Sequence, residues 1–146
     1  MGSSAAAESN TQSEPTWDQL QVGLRVGPLT YEVTRKMVSE FCAAMPFEAD
    51  PYLDGSPDAA GIMPPTMLAT DYIPLLKGHL HLGWGLMSRH SIRSLKPVRI
   101  GDTVTVSGVI ADKFEKKGRH YWTLEYSVSN AAGERCLEST ITCSVD

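Results

Sequence analysis

Two stretches near the carboxyl end fix the kind of structure this chain builds. Trp122, Leu124, Tyr126 and Val128 alternate with Thr123, Glu125, Ser127 and Ser129, and Leu137, Ile141, Cys143 and Val145 alternate with Glu138, Thr140, Thr142 and Ser144. Successive side chains of a strand point to opposite faces, so this alternation marks strands buried on one side only. Asn130-Ala131-Ala132-Gly133 between them has turn chemistry, and the pair predicts an antiparallel hairpin. Val104, Val106 and Ile110 form another alternating run, opened by Gly101-Asp102 and left through Lys116-Lys117-Gly118. An earlier run, Leu86 to Leu95, precedes Pro97.

The first half differs in kind. Leu20 to Thr34 predicts an opening strand that ends in Leu29-Thr30-Tyr31-Glu32-Val33, after which Thr34 is placed to cap a helix from Arg35 to Ala44. Met37, Val38, Phe41 and Cys42 have the spacing of one buried helical stripe, and Pro46 ends the helix. Pro46, Pro51, Gly55, Pro57 and Gly61 make residues 45–63 a long loop. Pro64-Pro65-Thr66 then opens a second helix carrying Met67, Leu68, Ala69, Thr70, Asp71, Tyr72 and Ile73, with Pro74 or Gly78 closing it. Helices segregated from a succession of antiparallel strands define an α+β layer fold.

The 146 residues suit one domain, and the net charge of −4 without a basic stripe argues against nucleic acid or an anionic membrane as partner. No apolar run approaches the roughly 18 residues that span a bilayer. The Ser- and Ala-rich start cannot bury enough surface to hold a structure, so residues 1–16 are expected to be disordered and 17–146 to form the domain. That start has neither the basic nor the apolar region of a secretory signal. Cys42, Cys136 and Cys143 fit neither a disulfide framework nor a zinc site, and Cys143 reads as a buried free thiol. A reducing cytoplasm is the default expectation.

Leu95-Lys96-Pro97-Val98-Arg99-Ile100-Gly101-Asp102-Thr103-Val104 resembles the "PVxxGDT" strand opening of MaoC-like hydratases and dehydratases. Asp112-Lys113-Phe114-Glu115-Lys116-Lys117-Gly118-Arg119 is similar to the same family's long hairpin turn, and Gly61-Ile62-Met63-Pro64-Pro65-Thr66-Met67 to its "APPT" stretch, in the version of the fatty-acid-synthase-type dehydratase branch. The likeness covers about residues 20–145. It implies a single hot-dog fold, a curved antiparallel sheet wrapped around a central helix. It also implies a homodimer or a heterodimer with a second hot-dog subunit, acyl-CoA or acyl-carrier-protein thioesters as substrates, and no cofactor.

Adding water to an enoyl thioester needs hydrogen-bond donors for the thioester oxygen and a paired acid and base. Backbone amides at the helix opening, Thr66 and Met67 above all, are candidate donors, with Met63, Pro65, Phe47 and Trp84 completing the expected substrate-binding set. The bland alternative is a helix start stiffened by two prolines. The family's catalytic branch carries its Asp and His in a pattern like S-G-D-x-N-P-x-H, which falls on Met45 to Tyr52 and puts Phe47 and Tyr52 at the two catalytic places. Phenylalanine does not titrate, and a tyrosine with a pKa of about 10 is a poor base at neutral pH. No histidine occurs before His79. Tyr52-Leu53-Asp54 resembles the "Y-x-D" of the branch that often supplies the substrate-tunnel half of a two-subunit dehydratase.

The remaining acid–base candidates are Asp50, Tyr52, Asp54, His79, His81 and His90. Against them stand a solvated acidic loop, loop histidines outside any metal site, and a core histidine at His90, which shares strand parity with Leu86 and Ile92. Arg89 and Arg93, on the opposite parity, read as a solvated strand face or as a strip that steers phosphate. Asp71 reads most simply as a polar position on the outer face of the second helix; a carboxylate base or nucleophile, as in hot-dog thioesterases, is the alternative. The sequence therefore predicts a lyase acting on 3-hydroxyacyl or enoyl thioesters through a non-standard site, in a polyketide or fatty-acid-type pathway. The alternatives are a non-catalytic subunit of a heteromeric dehydratase and a repurposed cyclase, isomerase or thioesterase.

Overall fold

A computed structural model describes residues 16–45, 52, 61–76 and 85–145. The elements in chain order are β1 (Arg25–Glu32), α1 (Arg35–Ala44), α2 (Pro65–Leu68), α3 (Tyr72–Leu76), β2 (Met87–Ser94), β3 (Thr103–Lys116), β4 (Arg119–Ser129) and β5 (Arg135–Val145). The expected strand runs and the first helix all form. Residues 1–15, Pro46 and Gly78, on which further expectations rested, lie outside the described residues.

Local chemistry sets the turns. Lys117 and Gly118 link β3 to β4 with φ of 52° and 76°. That doubly positive geometry has the twist of the strands it joins. Between β4 and β5 the Asn130 side-chain oxygen accepts from the amides of Ala132 (3.1 Å) and Glu134 (3.0 Å), closing the predicted turn. Thr34 caps α1 as expected, its hydroxyl accepting from the Met37 amide at 3.2 Å.

The strands make one antiparallel sheet in the order β1-β3-β4-β5-β2, so β1 and β2 are its edges. Register lines up the inner face in rows. Leu29, Val106, Val128 and Leu137 form one, and Val26, Gly108, Tyr126 and Ser139 the next. Ile110, Leu124, Ile141 and His90 form a third. Val26, Val104, Val106, Ile110, Leu124, Val128, Leu137 and Ile141 are all at most 1% exposed. Burial of such side chains contributes on the order of 1.5–3 kcal/mol each. The outer face is mostly Ser, Thr, Arg and Glu, with Phe114 and Tyr121 stacked at 4.9 Å between ring centroids.

The helices cover the inner face. From α1, Val38 and Cys42 are buried, while the outer members of the predicted stripe, Met37 and Phe41, are half-buried. Cys136 is buried too, but Cys143 is only half-buried, a correction that follows from its place near the open end of β5; all three thiols are free. Gly27 stands at the bulge in β1 with φ of 88°, a left-handed conformation suited to glycine. It lies against the helical layer, where a Cβ would sit 2.8 Å from Leu75 Cδ1.

The second helix is not one helix. It breaks at Ala69–Asp71 into α2 and α3, and Pro74 lies inside α3 rather than closing it. Proline has no amide hydrogen and its ring crowds the carbonyl four residues back, here Thr70. In the first turn of α3 the missing donor is harmless; in a continuous helix it would fall in the interior. The Thr70 hydroxyl, donating to the Met67 carbonyl at 2.9 Å, reinforces the interruption.

Candidate active site

The break in the helix frees carbonyls, and the inner face of the sheet receives them. Tyr126 Oη lies 2.9 Å from the Ala69 carbonyl and 3.2 Å from that of Leu68, in position to donate to either. Gly108 stands opposite Tyr126 on β3, where any Cβ would lie 3.0 Å from Tyr126 Cβ. Burial pushes the Tyr126 phenol up to about 12, so it keeps its proton and remains a donor.

Asp71 is 8% exposed and faces β1, where the Tyr31 hydroxyl donates to Oδ2 at 2.6 Å. The expected outer-face position is thereby corrected. Leu68 and Leu75, three residues before Asp71 and four after, are also buried, so Asp71 belongs to the stripe that packs on the sheet. Burial lifts its carboxyl to about 6, and the Tyr31 bond only partly opposes that rise. No cationic side chain among the described residues offsets the burial. The Tyr31 phenol is driven well above its ordinary range, first by burial and then by the carboxylate beside it, so it stays protonated and donates.

His90 lies on the same face from β2. Its Nε2 is 3.0 Å from Ser139 Oγ, and Ser139 donates its own hydrogen to the Ser91 carbonyl at 3.0 Å. With the serine hydrogen on the Ser91 carbonyl, the bond to His90 requires the tautomer that carries its hydrogen on Nε2. Burial lowers the imidazole pKa, and the ring meets Tyr72 edge-on with centroids 6.1 Å apart. Tyr31, Asp71, Tyr72, Tyr126, Ser139 and His90 thus form a polar band between the sheet and the broken helix.

Met63 is buried at 1% exposure, Pro65 and Thr66 are exposed, and Met67 is half-buried. The Met67 amide donates to the Pro64 carbonyl at 2.9 Å, which leaves Thr66 as the uncommitted amide of the pair expected from sequence, among the described residues. Tyr52 is half-buried against the core, its carbonyl accepting from the Gly61 amide at 2.7 Å. Phe47, Asp50, Asp54, His79, His81 and Trp84 lie outside the described residues. Arg89 and Arg93 face outward as parity predicted. Arg89 lines an open groove of about 730 Å³ and Arg93 one of about 650 Å³, the second also bordered by Tyr126 and Ser139. No helix among the described residues is long and apolar enough to cross a membrane.

An open antiparallel sheet of this strand order, folded over a helical segment at its inner face, defines a hot-dog protein. Solved structures share that fold over nearly their whole length. The monoamine oxidase regulatory protein from Archaeoglobus fulgius superposes with a TM-score of 0.75 at 18% identity, covering 90% of this chain and 94% of its own. The (R)-hydratase from A. caviae involved in PHA biosynthesis gives 0.72 at 19%, covering 87% and 98%. The 3R-hydroxyacyl-ACP dehydratase complex from Mycobacterium tuberculosis gives 0.72 at 20%, covering 84% and 96%. No curated protein sequence matches the chain. The family described as FAS1-like, dehydratase domain region, matches residues 20–139, and the chain belongs to that family.

Proposed function

We propose that the chain is an acyl-thioester hydratase/dehydratase, a lyase that adds water to enoyl thioesters and removes it from 3-hydroxyacyl thioesters carried on CoA or an acyl carrier protein. The observation that carries this reading is the dehydratase-region match across residues 20–139. Its site departs from the common pattern, since Phe47 and Tyr52 stand where the family's Asp and His would be. A polyketide or fatty-acid-type pathway suits such a substrate.

The working unit is a pair of hot-dog domains joined along β2. That strand is an edge with exposed backbone groups. Leu86 (69% exposed), Met87 (46%), Ile92 (42%) and Leu95 (40%) are uncovered along it and its flanks, Met87 and Ile92 on the inner face. An uncovered apolar strip of this kind marks a contact surface. A second copy of this chain or a related hot-dog subunit would extend the sheet and cover it. The name of the Mycobacterium tuberculosis dehydratase describes a complex, which favours the same arrangement here.

The placement of Phe47 and Tyr52 favours a second reading, in which this chain forms only the substrate-binding half and its partner brings the acid and base. The two separate by assay of the purified chain on crotonyl-CoA and longer enoyl-CoA thioesters, followed by loss of enoyl absorbance. Turnover by the chain alone is the expected result. Absence of turnover alone, with activity restored by a dehydratase subunit bearing the Asp and His, selects the second reading. Absence under both conditions overturns the function.

A further inference from the structure

We propose that Asp71, held by the Tyr31 hydroxyl at the break in the central helix, is the carboxyl group that moves the proton in this reaction. The inference rests on the hydratase/dehydratase reading and names the group that acts in place of the missing Asp and His.

Three structural observations point to it. Asp71 is the single carboxylic acid among the buried described residues, at 8% exposure. It has one strong hydrogen bond, 2.6 Å from the Tyr31 hydroxyl to Oδ2. A neutral asparagine oxygen would also accept that bond, more weakly but without the cost of a buried ionisable group, so anchoring the helix does not require a carboxylic acid here. And the turn between α2 and α3 fixes its place, the Asp71 amide donating to the Leu68 carbonyl at 3.2 Å and its carbonyl accepting from the Leu75 amide at 3.1 Å, so that the side chain is held toward β1. A buried carboxyl whose environment disfavours the anion is also poised to exchange a proton near neutral pH.

One such group suffices for the chemistry. In dehydration the Asp71 carboxylate takes the proton from C2 of the 3-hydroxyacyl thioester, and the electron pair left behind delocalises onto the thioester carbonyl. That pair then forms the C2=C3 double bond as the C3–O bond breaks. Asp71 returns the same proton to the departing hydroxyl, water leaves, and the carboxylate is restored with no net change in oxidation state. Hydration runs the same steps backwards: the carboxylate deprotonates the water that attacks C3 and then protonates C2. In both directions the reactive form is the carboxylate, and Tyr31 is a positioning residue that steadies Oδ2.

The test combines kinetics with a direct titration on the full-length chain. Asp71→Asn is expected to lower kcat/KM for crotonyl-CoA hydration by about a hundredfold or more, the scale of a lost general acid–base group, while its thermal unfolding shows an intact fold. Tyr31→Phe removes the bond that favours the anion, so the acid limb of the pH–rate profile moves to higher pH, a shift that a purely structural contact would not produce. The carboxyl carbon of Asp71, followed by NMR with labelled aspartate, is expected to titrate near 6 in the unaltered protein. An active chain in which Asp71→Asn keeps its rate and pH profile overturns the inference and leaves the proposed function standing. Titration of Asp71 in the ordinary carboxylate range, with an acid limb that Tyr31→Phe leaves in place, overturns it as well. A chain inactive alone and active only with a partner removes the role of Asp71 along with the catalytic reading of this subunit.

Discussion

Single side chains at the centre of this molecule pull its stability in opposite directions. Asp71 is the destabilising one. Its folded-state carboxyl lies near 6 against an ordinary 3.8, so between those values the folded chain binds a proton that the unfolded chain releases. Stability therefore falls as pH rises from about 4 to about 6 and is then flat, with a total loss of roughly 3 kcal/mol from this residue at about 1.4 kcal/mol for each pH unit. Asp71→Asn should abolish that slope and raise stability at pH 7.5 by roughly 2–3 kcal/mol, measured as a higher urea midpoint; an unchanged midpoint would mean that the carboxylate is not destabilising. Tyr126 works the other way, its hydroxyl serving the Leu68 and Ala69 carbonyls. Tyr126→Phe should lower the same midpoint at every pH, through a loss of about 1 kcal/mol, because it takes the phenol donor from the Ala69 carbonyl while that of Leu68 keeps the Asp71 amide.

Among the elements, the interrupted helix decides the geometry of the polar band. Pro74 keeps α2 and α3 apart, since a continuous helix would need its missing amide for the Thr70 carbonyl. Pro74→Ala is expected to raise the helical signal in far-ultraviolet circular dichroism. The joined ladder would take the Leu68 and Ala69 carbonyls and displace Tyr126 from them. No gain in helix would show that the sheet below, rather than the proline, imposes the break. α1 is simpler, with Thr34 capping the Met37 amide. Thr34→Ala should cost about 1 kcal/mol through loss of that cap, readable in the same unfolding experiment.

At the scale of the whole molecule, β2 is the strand with least cover. Its inner-face members include His90, half-buried, and Met87 and Ile92, exposed, the bulge between Met87 and Arg89 having turned Met87 inward. Ile92→Lys puts a charge where the proposed partner would lie, and sedimentation should show a shift from dimer to monomer with the fold retained; an unaltered dimer would place the interface elsewhere. The strands, the Thr34 cap and the outward parity of Arg89 and Arg93 were legible in the sequence because each depends on residues one to four positions apart. The burial of Asp71 was half-legible: Leu68 and Leu75 lie at helical spacing on either side of it, but its charge pulled the reading outward. Its pairing with Tyr31, forty residues earlier, had no local signal.

What the chain order alone determined was periodicity: which segments alternate, which repeat helically, and where proline and glycine interrupt them. Tertiary structure decided the rest. Strand order, the row of side chains under the broken helix, and the meeting of Asp71 with Tyr31 follow from packing between distant segments. The same packing sets how far each titrating group is removed from water, and hence its readiness to give or take a proton, a property that no spacing along the chain encodes.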